Sequence, residues 1–241
     1  MRFHIVLAGS LFLAPLQSRP QSFDVVSIKP NRSGAAASET ETVPGRLNLI
    51  NVTPLSLIMR AFGVLGFQIA GAPDWVATER YDVIATVPEG RILTEQNRQP
   101  LLQQMLADRW RLRYRKETRP IQVYSLVASN DGPKLVTHSG PGEYAMRVEL
   151  AGPRRILRST RGNLPRLVEI LSGFSGRLVM NDTGLTGEYD FTLEWVQDAS
   201  ANDAGPSLFT ALREQLGLRL VSAEKPASVI VIDHIERPSE N

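Results

Sequence analysis

Cysteine does not occur in this chain of 241 residues. Its absence excludes disulfides, thiolate zinc sites, iron–sulfur clusters and a cysteine nucleophile. Histidine is nearly as scarce, with only His4, His138 and His234. There is no H-E-x-x-H pair, so a zincin-type metal site is excluded. Phosphate-cradling loops of the G-x-x-x-x-G-K-[ST] or G-x-G-x-x-G kind are missing, as is the G-x-S-x-G nucleophile elbow. The segment Ser172-Gly173-Phe174-Ser175-Gly176 only looks like that elbow, and it falls at the end of an apolar helical stretch. No metal, no cofactor and no catalytic residue is expected from these patterns. A Ser-His-Asp arrangement would have to use His138 or His234, and neither has a motif around it.

Charge of one sign is also lacking. Lysine and arginine number 27 against 25 acids, a net charge of +2. The isoelectric point near 9.1 reflects that small excess. A nucleic-acid partner is therefore not expected, because such binders carry a larger basic surplus. No apolar run reaches the roughly 20 residues that a membrane-spanning helix needs. What remains is an ordinary globular composition, 42% hydrophobic and 22% charged, long enough for one large or two modest cores.

The first 18 residues read as an address. Met1 to His4 is a short basic start, Ile5 to Leu16 is uncharged and apolar, and Gln17-Ser18 is a polar exit with a small residue. This is the layout of a secretory signal peptide. Residues 1–18 are thus expected to be removed, leaving a periplasmic or secreted protein.

The rest of the chain aligns with itself. Pro100 to Arg113 lies over Pro206 to Arg219 at an offset of 106, without a gap through Pro120 over Pro226 and Val123 over Val229. Upstream, Leu57-Ile58 and Gly63 match Leu167-Val168 and Gly173, and Tyr81-Asp82 matches Tyr189-Asp190. A repeat of this length signals duplicated units. The expectation is an α+β fold of two tandem modules, 19–139 and 140–241, each a short sheet with two helices in the order strand-helix-strand-strand-helix-strand-strand. In the first, Thr53-Pro54 caps a helix whose apolar face is Leu55, Ile58, Met59 and Phe62, ended by Gly63. Thr94 caps a second helix with the stripe Leu101, Leu102, Met105 and Leu106. Two strands, Trp110 to Arg115 and Val123 to Val127, should close the unit as a hairpin across Thr118-Arg119-Pro120. In the second module the helices fall at Leu164 to Leu171 and Pro206 to Leu216. Asn31 to Val43 and Gln197 to Gly205 read as polar loops, with Glu39 and Glu41 in the first.

Two features suit a binding surface. Arg109, Arg111, Arg113 and Arg115 alternate with Trp110, Leu112 and Tyr114. In a strand this pattern sorts cations to one face. Such a ladder fits an anionic partner, a protein or an envelope polymer. It equally fits a solvated face that protects an edge strand. Trp75, after Gly-Ala-Pro-Asp, fits a stacking platform or a plug at the edge of the core. Asp82 and Asp190 occupy equivalent positions after a tyrosine and read as turn or edge residues.

Each half resembles the short N-terminal domain of secretins and TonB-dependent receptors, through its two short Leu-rich helices, each preceding strands. A wider resemblance runs through Phe23 to Asn31, Gly71 to Trp75, Met105 to Trp110, Asp182 to Phe191 and Ile232 to Asn241. On these residues the chain resembles the acidobacterial soil-associated TIGR family of exported proteins of unknown function. That resemblance implies export and assigns no activity. The sequence therefore leads to an exported, non-catalytic interaction module that acts by docking or strand addition. The alternatives are a hydrolase of envelope or extracellular polymers, and a ligand sensor using the cleft between the repeats.

Overall fold

The computed structural model describes residues 22–87, 92–197 and 205–238. The expected signal peptide and most of the 197–205 loop lie outside these residues. The fold is mixed sheet and helix, an α+β protein. Its first half runs β1 (Val25–Pro30), β2 (Glu39–Val43), β3 (Arg46–Val52), α1 (Pro54–Phe62), β4 (Ile69–Ala70), α2 (Trp75–Thr78), β5 (Tyr81–Thr86), α3 (Glu95–Arg109) and β6 (Arg113–Ala128). The second half continues with β7 (Val136–Thr137), β8 (Ala145–Ala151), β9 (Arg154–Gly162), α4 (Leu164–Ser175), β10 (Val179–Asn181), β11 (Tyr189–Val196), α5 (Leu208–Ala211) and β12 (Leu218–His234). A single π turn, Leu212–Leu216, extends α5.

Local chemistry sets the helix ends. Thr53 accepts the Ser56 N–H at 3.1 Å ahead of Pro54, and Asn163 accepts the Arg166 N–H at 2.9 Å ahead of Pro165. Both are N-caps that satisfy an otherwise unpaired helix donor. Thr94 caps α3 by a reciprocal exchange with Asn97. Gly63 ends α1 in the left-handed region at φ 63°.

Three four-stranded sheets result. The first outer sheet has the order β1-β5-β3-β2, all antiparallel, and the second β7-β11-β9-β8. The two orders coincide when strands are matched by position in their halves. Between them lies β10-β6-β12-β4. Its two long central strands run antiparallel from Leu218 opposite Ala128 to His234 opposite Arg113. Each short flanking strand joins the long strand of the other half: β4 pairs with β12, and β10 with β6.

Here the structure corrects the expected hairpins. Thr118-Arg119-Pro120 is no turn; β6 passes straight through it. Pro120 faces Pro226 across the ribbon. The N–H of Tyr124 donates outward to Leu178 O at 2.8 Å, so alternate residues back to position 120 also aim their nitrogens outward. The pairing of β10 begins at Tyr124. The missing proline donor therefore faces no strand among the described residues, which is the setting in which a strand tolerates proline. A smaller correction follows. Glu39 and Glu41 sit in edge strand β2 rather than in a loop. Strand β4 is two residues long and follows a 3-10 turn.

Two cores flank the ribbon. One gathers Leu47, Leu49, Leu57, Ile58, Val83, Leu102, Leu106 and Trp110, and takes Ile232 from β12. The other gathers Leu157, Leu167, Leu171, Leu193, Trp195 and Leu212, and takes Leu126 from β6. Each long strand thus seals the opposite core.

Candidate partner-binding surface

The arginine ladder is divided by the end of α3. Arg109 is the last residue of that helix, and Arg111 forms the turn into β6 at φ 52°. Only Arg113 and Arg115 are strand residues. The expected four-fold alternation on one strand face is thereby replaced by three settings. Arg109 is half-buried, with Nη2 enclosed and without a hydrogen-bond partner. Arg115 is neutralised: it donates to Glu117 at 2.7 Å and to Asp233, and the Glu117 hydrogen bond leads in raising its pKa. Arg111 and Arg113 are exposed and have no ion-pair partner among the described residues.

These two guanidinium-bearing residues line a cleft of about 460 Å³ with Ala107, Leu112, His234 and Glu236. The Glu236 carboxylate is engaged by His234 Nε2 at 2.7 Å. Arg111 has a counterpart at the sequence offset, Gly217, which makes the same left-handed turn at φ 63° into β12. The second half thus meets the backbone demand with glycine. The first half carries an arginine there, in a conformation that costs a side chain roughly 1–2 kcal/mol.

Trp75 opens α2, half-buried against the first core. The guanidinium of Arg237 stands 4.9 Å above its ring. Arg237 also forks onto Glu79, with Nη2 to Oε1 at 2.6 Å and Nε to Oε1 at 2.9 Å. Glu79 in turn accepts the Tyr81 hydroxyl at 2.8 Å. The Arg237 hydrogen bond holds the Glu79 carboxyl below its ordinary range, while burial first and then Glu79 push the Tyr81 phenol up to about 12. One ring face of Trp75 is therefore covered by this cation. A second cleft of about 610 Å³ adjoins it, lined in part by Asn31, Arg32, Arg80, Tyr81 and Arg237. A third, beside Gly71–Pro73, is bordered by Ile232 to Ile235. All three clefts share the segment 232–238. Glu236 N–H pins that segment by donating to Trp110 O at 2.7 Å.

The family model described as a protein of unknown function (DUF3738) matches residues 55–235, most of the chain. The chain belongs to DUF3738. No curated protein and no solved structure matches it. The DUF3738 span takes in Trp75, Arg111, Arg113 and His234, and leaves Arg32 and Arg237 outside.

Sequence reasoning underrated the two aspartates of this DUF3738 chain. Asp82 Oδ1 accepts the N–H of Asn51 at 2.9 Å, and Asp190 Oδ1 accepts the N–H of Arg161 at 2.9 Å. Asn51 and Arg161 lie at φ 56° and 54°. Each aspartate thus fastens a left-handed kink in the neighbouring strand. A polar partner braces each one: Asn31 Nδ2 at 2.7 Å from Asp82, and His138 Nδ1 at 2.8 Å from Asp190. The shared Tyr-Asp pair was the available signal, but the strand it supports is about 30 residues away.

His138 Nε2 meets Gly140 O at 3.1 Å. The ring is thus held between the Asp190 carboxylate and the Gly140 carbonyl. The hydroxyl of Ser172 is committed as well. It donates to Val168 O at 2.6 Å and accepts Val179 N–H at 2.8 Å. Among the described residues no group of three or more His, Cys, Asp or Glu side chains is placed to hold a metal. No described helix is long and apolar enough to cross a membrane.

Proposed function

We propose that this DUF3738 protein is an exported, non-catalytic binding module of the bacterial envelope that holds an anionic partner in the groove of Arg111 and Arg113. Residues 1–18 direct its export. The mature chain is a tandem duplication, modules 19–139 and 140–241, allied to the short N-terminal domains of secretins and TonB-dependent receptors and to the acidobacterial exported proteins it resembles. The shared strand order of the outer sheets supports the duplication. So does the ribbon register, which sets Pro120 and its repeat counterpart Pro226 opposite each other.

One observation carries the binding reading. At the helix-to-strand turn where the second half has Gly217, the first half has an exposed arginine in left-handed backbone, without a carboxylate partner among the described residues. Strain retained at an exposed charged side chain points to use of that side chain. Arg113 beside it supplies a second donor fork suited to carboxylate or phosphate oxygens. The committed hydroxyl of Ser172 favours binding over hydrolysis.

Sodium polygalacturonate, a polyanion of carboxylates, serves as the probe. Titration calorimetry on R111G and R113Q should show binding weakened by about tenfold in each, with the loss shrinking as salt rises. Arg111→Gly suits the test because glycine fits the turn without strain. Equal affinity of wild type and both variants at low salt refutes the groove. Release of new reducing ends from the polymer by the wild type moves the protein into the hydrolase class.

A further inference from the structure

Among the described residues β8 is the outermost strand of its sheet, hydrogen-bonded to β9 on one side only. Its free edge presents unpaired N–H and C=O groups, the template on which another strand adds. Edges are commonly blunted by proline, lysine, bulges or inward-pointing charge. The run Ala145-Met146-Arg147-Val148-Glu149-Leu150-Ala151 has no proline, no lysine and no register break against β9. Leu150 is 71% exposed on this strand.

The charges of β8 are incomplete within one chain. Arg147 stands directly opposite Arg158 of β9, a like-charge cross-strand pair. Glu149 lies 3.4 Å from Arg158, while Arg147 has no ion-pair partner among the described residues. Like charges directly opposite are destabilising, and opposite charges there are favourable. A carboxylate on the far side of Arg147 would complete the row.

The sequence of β8 supplies that carboxylate to itself. Laid antiparallel on a second copy about Val148, Arg147 falls opposite Glu149 of the second copy, and Glu149 opposite Arg147 of the second copy. Met146 falls opposite Leu150 in the same way, on the other sheet face, and Ala145 opposite Ala151. Every position finds a complementary neighbour, and exposed Leu150 gains apolar cover. The matching edge in the first sheet behaves oppositely. β2 reads Glu39-Thr40-Glu41-Thr42-Val43, and self-pairing about its centre sets Glu41 against Glu41.

We propose that this protein forms a two-fold symmetric dimer by antiparallel pairing of β8 with β8 of a second copy, centred on Val148, joining the two outer sheets into one. The interface is isologous, so each substitution acts on it twice.

Sedimentation velocity of the whole mature chain across a concentration series reads the assembly directly. Wild type should shift from monomer to dimer as concentration rises. R147E opposes two carboxylates at each of the two symmetric positions, and E149R opposes two guanidiniums. Each should weaken the dimer by at least about tenfold. The double variant R147E/E149R should dimerise again. An equimolar mixture of R147E with E149R should also dimerise, although each alone stays monomeric, because the mixed edges are complementary. Circular dichroism melts of the single variants separate loss of fold from loss of pairing, and the mixture restores pairing only when both are folded. The proposal fails if wild type remains monomeric at every concentration. It fails equally if a dimer forms and neither single variant weakens it, or if the mixture of variants stays monomeric.

Discussion

The turn from helix to strand occurs twice, at Arg111 and at Gly217, and the two positions should respond oppositely to exchange of their residue types. Both lie in left-handed backbone, at φ 52° and φ 63°. A Cβ on Gly217 would lie 2.1 Å from Gly132 O and 3.0 Å from Lys134 N. Main-chain atoms cannot give way as a side chain does, so G217A must push the 129–134 segment outward. Two hydrogen bonds tie that segment down, Ser129 N–H to Gly217 O and Lys134 N–H to Leu216 O, both 2.8 Å. The left-handed penalty is roughly 1–2 kcal/mol. Loss of each bond adds about 1 kcal/mol. Removing glycine's flexibility from the unfolded chain returns about 0.4–1 kcal/mol. The net for G217A is about 2–4 kcal/mol of destabilisation. For a chain of this size the melting temperature should fall by about 4–16 °C. Arg111→Gly releases the same backbone penalty, surrenders no ion pair with a described residue and adds about 0.4–1 kcal/mol of unfolded-chain entropy, so it should melt about 0–6 °C above wild type. Differential scanning calorimetry of the two variants beside wild type checks both. A melt of G217A within about 2 °C of wild type would refute the close approach of Gly132.

Further outcomes follow from the committed polar groups. The Arg161 N–H first, and then His138, hold the Asp190 carboxyl below its ordinary range. A carboxyl depressed in the folded state stabilises fully above the ordinary value near 4 and loses that contribution as pH falls through the lower folded value. Urea midpoints should therefore drop below pH 4, and less steeply in D190N than in wild type; identical slopes would show that Asp190 does not contribute. Ser172→Ala strands the buried Val179 N–H and should lower stability by about 1–3 kcal/mol in urea titration. A neutral result there would mean that another acceptor reaches Val179.

Much of the local structure was legible in residue order. Thr53-Pro54 and Thr94 announce helix starts because a side-chain oxygen two or three residues ahead of a free N–H is a local matter. The apolar stripe of α3 follows from helical period and enters the first core whole, whereas α1 turns Leu57, Ile58 and Ala61 inward, leaves Leu55 and Phe62 at the margin and keeps Met59 out of that core. The offset of 106 aligns Pro120 with Pro226 and Arg111 with Gly217 in residue order. The uninterrupted ribbon was not legible. Proline at 120 speaks for a turn until its partner is known, since tolerance depends on whether a neighbouring strand needs its N–H. That neighbour belongs to the other half of the chain. The division of the arginine ladder depended on where α3 stops, and Arg111 turns left-handed without a glycine to mark it. The aspartate clamps joined residues about 30 positions apart through strand register. Residue order set the capping and the apolar stripe of α3, because those interactions act within a few residues. Tertiary pairing alone decided which strands cross between halves, which cations stay unpaired and where the kinks are held, because each depends on what the rest of the chain brings alongside.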